Sequence, residues 1–156
     1  MKLSDFEIHN RPKLDKVLVK LCELIIDRQK QDNEKYGLVG ACVIDPDNNM
    51  VAATSKHKGD KWSHAEREAM DKYERDYGEI PEGSIIVTTL SPCNERMNDR
   101  YSESCTDLIN DSIVKKVYCG YMDPTQNKHN NEFTEECTKN EKIKELCKKI
   151  SDTFLK

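Results

Sequence analysis

The stretch "SIIVTTL", Ser84–Leu90, constrains the fold of this chain more than any other. It is an unbroken run of apolar and β-branched residues, short enough for a strand and without the polar alternation of a half-exposed one. Such a run suits a central strand buried on both faces, so the sheet that holds it needs a layer above and a layer below. The neighbours supply those layers. Ala65, Ala69, Met70, Tyr73 and Tyr77 recur at helical spacing before it, with Ser63 as the expected cap. After it, "TDLI" opens a short helix near Cys105, and "IVKKVYCGY" reads as a further strand. Upstream, "LVGACVI" and "MVAAT" flank the turn "DPDNN" and form a hairpin. An amphipathic helix carrying Leu14, Val17, Leu18, Leu21, Cys22 and Ile25 follows Pro12 and fades in "DRQKQDNEK". Ile143, Leu146, Cys147, Ile150 and Phe154 mark a closing helix. "SKHKGDKW" and "MDPTQNKHNNEF" read as loops, and no strand is evident after Asp123. The expected architecture is one α/β domain over residues 1–156. It is a three-layer α/β/α sandwich on a mixed sheet of four to five strands, antiparallel in the hairpin and parallel beyond it.

Lys and Arg total 25 against 29 Asp and Glu, a formal charge of −4. This balance argues against a generic nucleic-acid binder with a basic face. It leaves room for a small anionic substrate held by a few placed cations. No run approaches the roughly 18 apolar residues of a membrane span, and the N-terminus lacks the apolar middle of a secretory signal. A cytoplasmic protein without membrane partners is therefore expected. Seven cysteines, an odd number, argue against a disulfide framework. Cys22, Cys42 and Cys147 lie on apolar stretches and suit the core. Cys137 has no evident role, whereas Cys93 and Cys105 have neighbours that suggest chemistry.

Cys93 follows a strand and Pro92, and Cys105 opens a helix, where unpaired backbone N–H groups favour the thiolate. Thiolate is the form that binds zinc. His64 stands at the start of another helix, also after a strand. His64, Cys93 and Cys105 together make three protein ligands and leave the fourth position of a tetrahedral Zn2+ to water, the pattern of a catalytic site. Glu66, two residues from His64, is placed to take a proton from that water and deliver it to a leaving nitrogen. Taken alone, "HAE" is an ordinary acidic helix start, favoured by the helix dipole. The combination with the two cysteines gives it weight, because it is similar to the zinc-deaminase pattern of H-x-E with P-C-x-x-C.

From about Leu14 to Asp123 the chain resembles the cytidine deaminase-like superfamily, through "VGACVID", "SHAE", "TTLSPC" and the cysteine before "TDLI". The resemblance implies a hydrolytic deaminase of a pyrimidine-type base or nucleotide. Zinc-bound hydroxide would attack the amino-bearing ring carbon, and ammonia would leave. The superfamily usually spaces its cysteines C-x-x-C. Here eleven residues, 94–104, separate them, which is similar to the pyrimidine deaminases of riboflavin biosynthesis, as is "HKGDKWSHAE". Three features depart from that branch: no Asn-Pro precedes the first strand, Ser91 stands where Glu is usual before Pro-Cys, and no reductase follows. The riboflavin-pathway aminopyrimidine and dCMP are the substrates this resemblance suggests, and a homo-oligomer the assembly.

For substrate contacts the resemblance points to His57, Ala65, Ser91 and Arg96. His57 has two readings, a pocket residue on a substrate phosphate or sugar, or an exposed residue between Lys56 and Lys58. Arg96, with Arg100, lies between the zinc cysteines and suits bidentate phosphate binding, or is a solvated charge. Trp62 packs beside His64 or stacks on a base. Two alternatives to a small-molecule deaminase stay open. One is a deaminase of single-stranded nucleic acid or tRNA, which the acidic balance disfavours. The other is a catalytically inactive zinc-binding paralogue, with Cys119 as a candidate fourth ligand. Glu66 speaks against the second, because a structural zinc site needs no acid–base group.

Overall fold

The computed structural model describes residues 10–31, 39–58, 61–92, 105–122 and 132–155, with backbone alone for 56–58, 61–62, 105–107 and 151–155. Helix α1 spans Arg11–Gln31, followed by strands β1 (Gly40–Ile44), β2 (Met50–Thr54), β3 (Lys56–Lys58) and β4 (Lys61–Ser63). Helix α2 is Ala65–Tyr77, β5 is Ile85–Leu90, α3 is Cys105–Asn110 and β6 is Lys116–Tyr121. The order closes with β7 (Thr134–Cys137) and α4 (Glu141–Leu155).

The main sheet runs β2-β1-β5-β6-β7, with "SIIVTTL" in the middle as β5. β1 pairs antiparallel with both β2 and β5, while β5–β6 and β6–β7 are parallel. The expected mixed three-layer sandwich is therefore present. β7 adds a fifth strand after Asp123. Its sequence, Thr-Glu-Glu-Cys, shows no apolar period, because an edge strand hydrogen-bonds on one side and is partly exposed. The segment expected as the loop "SKHKGDKW" contains β3 and β4, an antiparallel pair outside the main sheet. These two three-residue strands are too polar and too short to announce themselves.

Strand alternation divides the core. Ala41, Val43, Ile86, Leu90 and Val117 face α2 and α3, where they meet Ala65, Ala69, Met70, Tyr73 and Ile109. Cys42, Ile44, Ile85, Val87 and Tyr118 face the opposite layer and meet Leu14, Leu18 and Leu21 of α1. The apolar stripe of α1 is buried as expected, and the helix continues to Gln31 through the polar run in which it was expected to fade. Tyr77, the last residue of the expected α2 stripe, is 54% exposed. α4 lies beside α1 and over β6. Gly120 makes that approach possible: a Cβ there would overlap the Cys147 side chain and stand 3.0 Å from the Thr89 carbonyl oxygen.

Side-chain hydrogen bonds tie the turns to these layers. Asp45 accepts from the backbone N–H groups of Asp47 and Asn49, both at 2.9 Å, and from the Tyr73 hydroxyl of α2 at 2.6 Å. Asn48 takes the positive φ of 68° that the turn needs. Asp15 of α1 accepts from Tyr118 of β6 at 2.6 Å and from Thr138 at 2.7 Å. Asn140 caps α4, its Oδ1 accepting from the N–H groups of Lys142 and Ile143.

The cysteines divide as their environments require. Cys22, Cys42 and Cys147 are free and buried, in line with a core role. Cys119 and Cys137 face each other in register on β6 and β7 and form a disulfide. Cys137 thus has a partner that the odd count of seven obscured. The bond also removes Cys119 as a fourth zinc ligand, since its sulfur is already committed.

Candidate functional site

Of the residues singled out in the sequence, Glu66 and Ser91 are described near the end of the sheet where β5 and β6 finish. β4 ends at Ser63, and α2 begins at Ala65. His64 between them is the N-cap residue, extended at φ −74° and ψ 153°, with its carbonyl accepting the Glu68 N–H at 3.0 Å. The expected cap, Ser63, belongs to β4 instead, paired with Lys56 of β3. The His64 side chain makes no capping hydrogen bond. His64 is 8% exposed, so its imidazole is largely removed from water while its backbone opens the helix.

Two residues on, Glu66 is 3% exposed and turned toward the sheet, where its Oε1 lies 3.0 Å from the Thr88 hydroxyl of β5. An acidic helix start would normally leave this carboxylate in solvent. A buried carboxylate on the sheet side, two residues from a buried histidine, is a different arrangement, and burying one costs several kcal/mol unless it is compensated (about 2–7 kcal/mol even for a neutral polar group). Glu68 is buried as well, at 8% exposed, so both carboxylates of the first turn face inward.

β5 delivers the second motif. Beyond Leu90, Ser91 is 4% exposed, and its N–H donates to the Tyr121 carbonyl at 2.8 Å, which extends the β5–β6 ladder by one bond. The Ser91 hydroxyl donates to Glu135 of β7. Pro92 follows, and Cys93 lies just beyond, outside the described residues, as do Arg96 and Arg100. Cys105 is the first residue of α3, which packs beside α2. Among the described residues no group of three potential metal donors occurs, as Cys93 and the side chain of Cys105 are not among them. What is described fits a zinc site: a buried imidazole at one helix start, a cysteine at the start of the neighbouring helix, and a strand leading directly to the second cysteine.

His57 lies on β3, with its backbone paired to Trp62 of β4, and the side chains of both are outside the described residues. Ala65 is fully buried, in the core cluster on the α2 side of the sheet. Sequence reasoning missed two residues, Thr88 and Glu135. Thr88 left a trace, a hydroxyl in an otherwise apolar strand. Glu135 left none, because its reach to Ser91 depends on a strand that was not foreseen.

Solved structures share this fold. A diaminohydroxyphosphoribosylaminopyrimidine deaminase/5-amino-6-(5-phosphoribosylamino)uracil reductase from Thermotoga maritima superposes with a TM-score of 0.67 at 24% identity, over 90% of this chain and 40% of that one. RibD from Acinetobacter baumannii gives 0.65 at 19%, over 93% and 40%. The dCMP deaminase of cyanophage S-TIM5 gives 0.57 at 18%, over 85% of this chain and 99% of that one. At these identities the likeness establishes the fold. The chain spans about two fifths of the length of the first two proteins. No curated protein sequence matches at a significant level, and no helix among the described residues is long and apolar enough to cross a membrane. The family model for the cytidine and deoxycytidylate deaminase zinc-binding region matches residues 12–121, from the start of α1 to the end of β6, and by that match the chain belongs to this zinc-binding deaminase family.

Proposed function

We propose that this chain is a hydrolytic deaminase of a pyrimidine-type base or nucleotide, working as a cytoplasmic enzyme on a small molecule. The observation that carries the reading is Glu66: a carboxylate buried beside His64, turned to the sheet and met there by a hydroxyl. A structural zinc site has no use for such a group.

In this reading His64, Cys93 and Cys105 hold the zinc. When bound, the metal supplies a water acidic enough to act as a nucleophile near neutral pH. Glu66 does the proton work. It takes a proton from the attacking water and delivers it to the ring nitrogen beside the amino-bearing carbon. It then carries the second proton to the departing amine. Water adds across the C=N bond, the C–N bond to the amine breaks, and ammonia and a carbonyl are the products. One carboxylate can serve both transfers in turn, and its burial keeps bulk water from competing for the proton.

The substrate contacts are proposed from the resemblance. Ser91 and the backbone N–H of Ala65 border the ring, while His57 and Arg96 take a phosphate or sugar. The resemblance in fold to the Thermotoga maritima protein favours the riboflavin-pathway aminopyrimidine, and the cyanophage protein favours dCMP. A homo-oligomer is part of the proposal.

The test is a deamination screen of free bases, nucleosides, nucleotides including dCMP, the riboflavin-pathway aminopyrimidine, and single-stranded nucleic acid, followed by ammonia release. Turnover of one class of small pyrimidine is expected. Release from none of them by zinc-loaded protein would overturn the reading in favour of an inactive paralogue.

A further inference from the structure

Thr88 is the one hydroxyl on the α2 side of β5, between Ile86 and Leu90. A valine would fill the same space, since the two side chains share their branching and volume. Burying a hydroxyl in such a place is unfavourable unless it is paired, and Thr88 is fully buried. Its oxygen lies 3.0 Å from Glu66 Oε1 and 2.8 Å from the Leu90 carbonyl oxygen. We propose that Thr88 is the positioning residue for Glu66, fixing the carboxylate over the end of β5 through the proton-transfer steps. The inference rests on the reading that Glu66 is the proton carrier.

The geometry suits a group that must alternate between two forms. A hydroxyl has one proton to donate and two lone pairs to accept with. Toward an ionised Glu66, Thr88 donates. When the proton in transit sits on the other oxygen, Oε2, Oε1 remains an acceptor and Thr88 goes on donating to it. Both forms of the carboxyl group are therefore held at one place. The β-branch limits rotation about the Cα–Cβ bond, so the oxygen is fixed by the strand. Thr88 acts through Glu66 and has no contact of its own with the reacting atoms.

The experiment compares Thr88→Val and Thr88→Ser in the full zinc-loaded chain, using whichever compound the wild type deaminates. Thr88→Val should lower kcat about 10- to 100-fold, the scale of a misplaced catalytic group, with KM within about twofold and zinc content unchanged. Thr88→Ser, which keeps the hydroxyl, should recover most of the loss. A Val variant at wild-type kcat, or a Ser variant as slow as Val, would overturn the proposal. An infrared measurement separates this from failure of the functional reading. The carboxyl band assigned to Glu66 by its loss in Glu66→Gln should shift in Thr88→Val and stay in place in Thr88→Ser, whether or not any compound is turned over. An unmoved band in Thr88→Val would sink the contact itself.

Discussion

Thr88 and Thr89 are the same residue, adjacent on the same strand, and both fully buried, yet they serve opposite sides of the sheet. Thr89 accepts the Gly40 N–H at 3.1 Å and thereby satisfies a backbone donor at the start of β1. Thr88 meets a carboxylate on a helix. The layer behind Thr89, built from α1 and α4, is apolar packing with its polar groups paired locally. The layer behind Thr88 contains a histidine and two carboxylates inside the core. A buried charge is tolerated only where something compensates it, so the α2 side carries polar groups that stability alone would not select. On the proposed reading, chemistry lies on one face and support on the other.

The strongest way to break that division is Glu66→Gln. It preserves size and one hydrogen bond but cannot shuttle a proton. Turnover should fall by at least 10²–10⁴-fold, the usual worth of general acid–base work, with zinc content and fold retained. Glu68 is a poor control because it is buried too; the exposed Glu74 of the same helix takes that place, and Glu74→Gln should match wild type. If Glu66→Gln stays within about threefold of wild type, the α2 face is not the chemical one.

Metal content gives the next test. Cys93→Ser and Cys105→Ser should each strip most of the zinc measured per chain. Cys137→Ser, which removes a disulfide partner on β7, should leave zinc in place and lower only the unfolding midpoint. Equal zinc loss in all three variants would place the metal elsewhere.

On the supporting face, Gly120→Ala introduces a methyl group against Cys147. Overpacking of this kind costs about 1–3 kcal/mol, read as a lower urea midpoint. Activity per folded molecule should hold. A large drop in kcat without a change in midpoint would tie the α4 layer to the reaction.

The smallest effect sharpens the comparison within the chemical face itself. Asp45 and Tyr73 lie at its far end, where β1 meets the beginning of β5. Burial pushes the Asp45 carboxyl up, but hydrogen bonds from Tyr73, Asn49 and two backbone amides outweigh it and hold its pKa below the usual range. Burial and the neighbouring Asp45 push the Tyr73 hydroxyl up to about 12. A depressed carboxylate stabilises the fold above its unfolded pKa of about 3.9, and the contribution is lost as pH falls through the lower folded value. Tyr73→Phe should therefore cost about 1 kcal/mol near pH 7, less once the pH has fallen through the lowered folded pKa of Asp45, and leave kcat unchanged. Equal destabilisation at both pH values would remove the ionised Asp45 from the account.

How much of this was legible in the sequence depended on whether burial left a pattern. β5 was legible because both of its faces are covered, leaving no room for polar residues except the two threonines. α1, α2 and the hairpin were legible through their periods of hydrophobicity. β7 was not, because its role is to pair with β6, and backbone pairing at an edge leaves no apolar signature. The reach of Glu135 to Ser91 was hidden for the same reason. His64 and Glu66 stood out through spacing, but that Glu66 would turn inward onto Thr88 could not be read from spacing, since either side of a helix start can carry an acid.

The two buried thiols Cys22 and Cys147 stand with their sulfurs 3.6 Å apart, joining helices whose residues are 125 positions apart in sequence. Arg11 and Glu136 pair across the same interval. The stripe of α1 is thus among the first parts of this domain to leave the ribosome and among the last to be fully covered. Until α4 has been made, Cys22 and its apolar neighbours keep one side uncovered. Loop closure over so long a span is slow, and an exposed apolar stripe in the meantime invites association with other chains. Exposure of the α1 stripe before α4 is in place is therefore the hazardous interval in the folding of this domain.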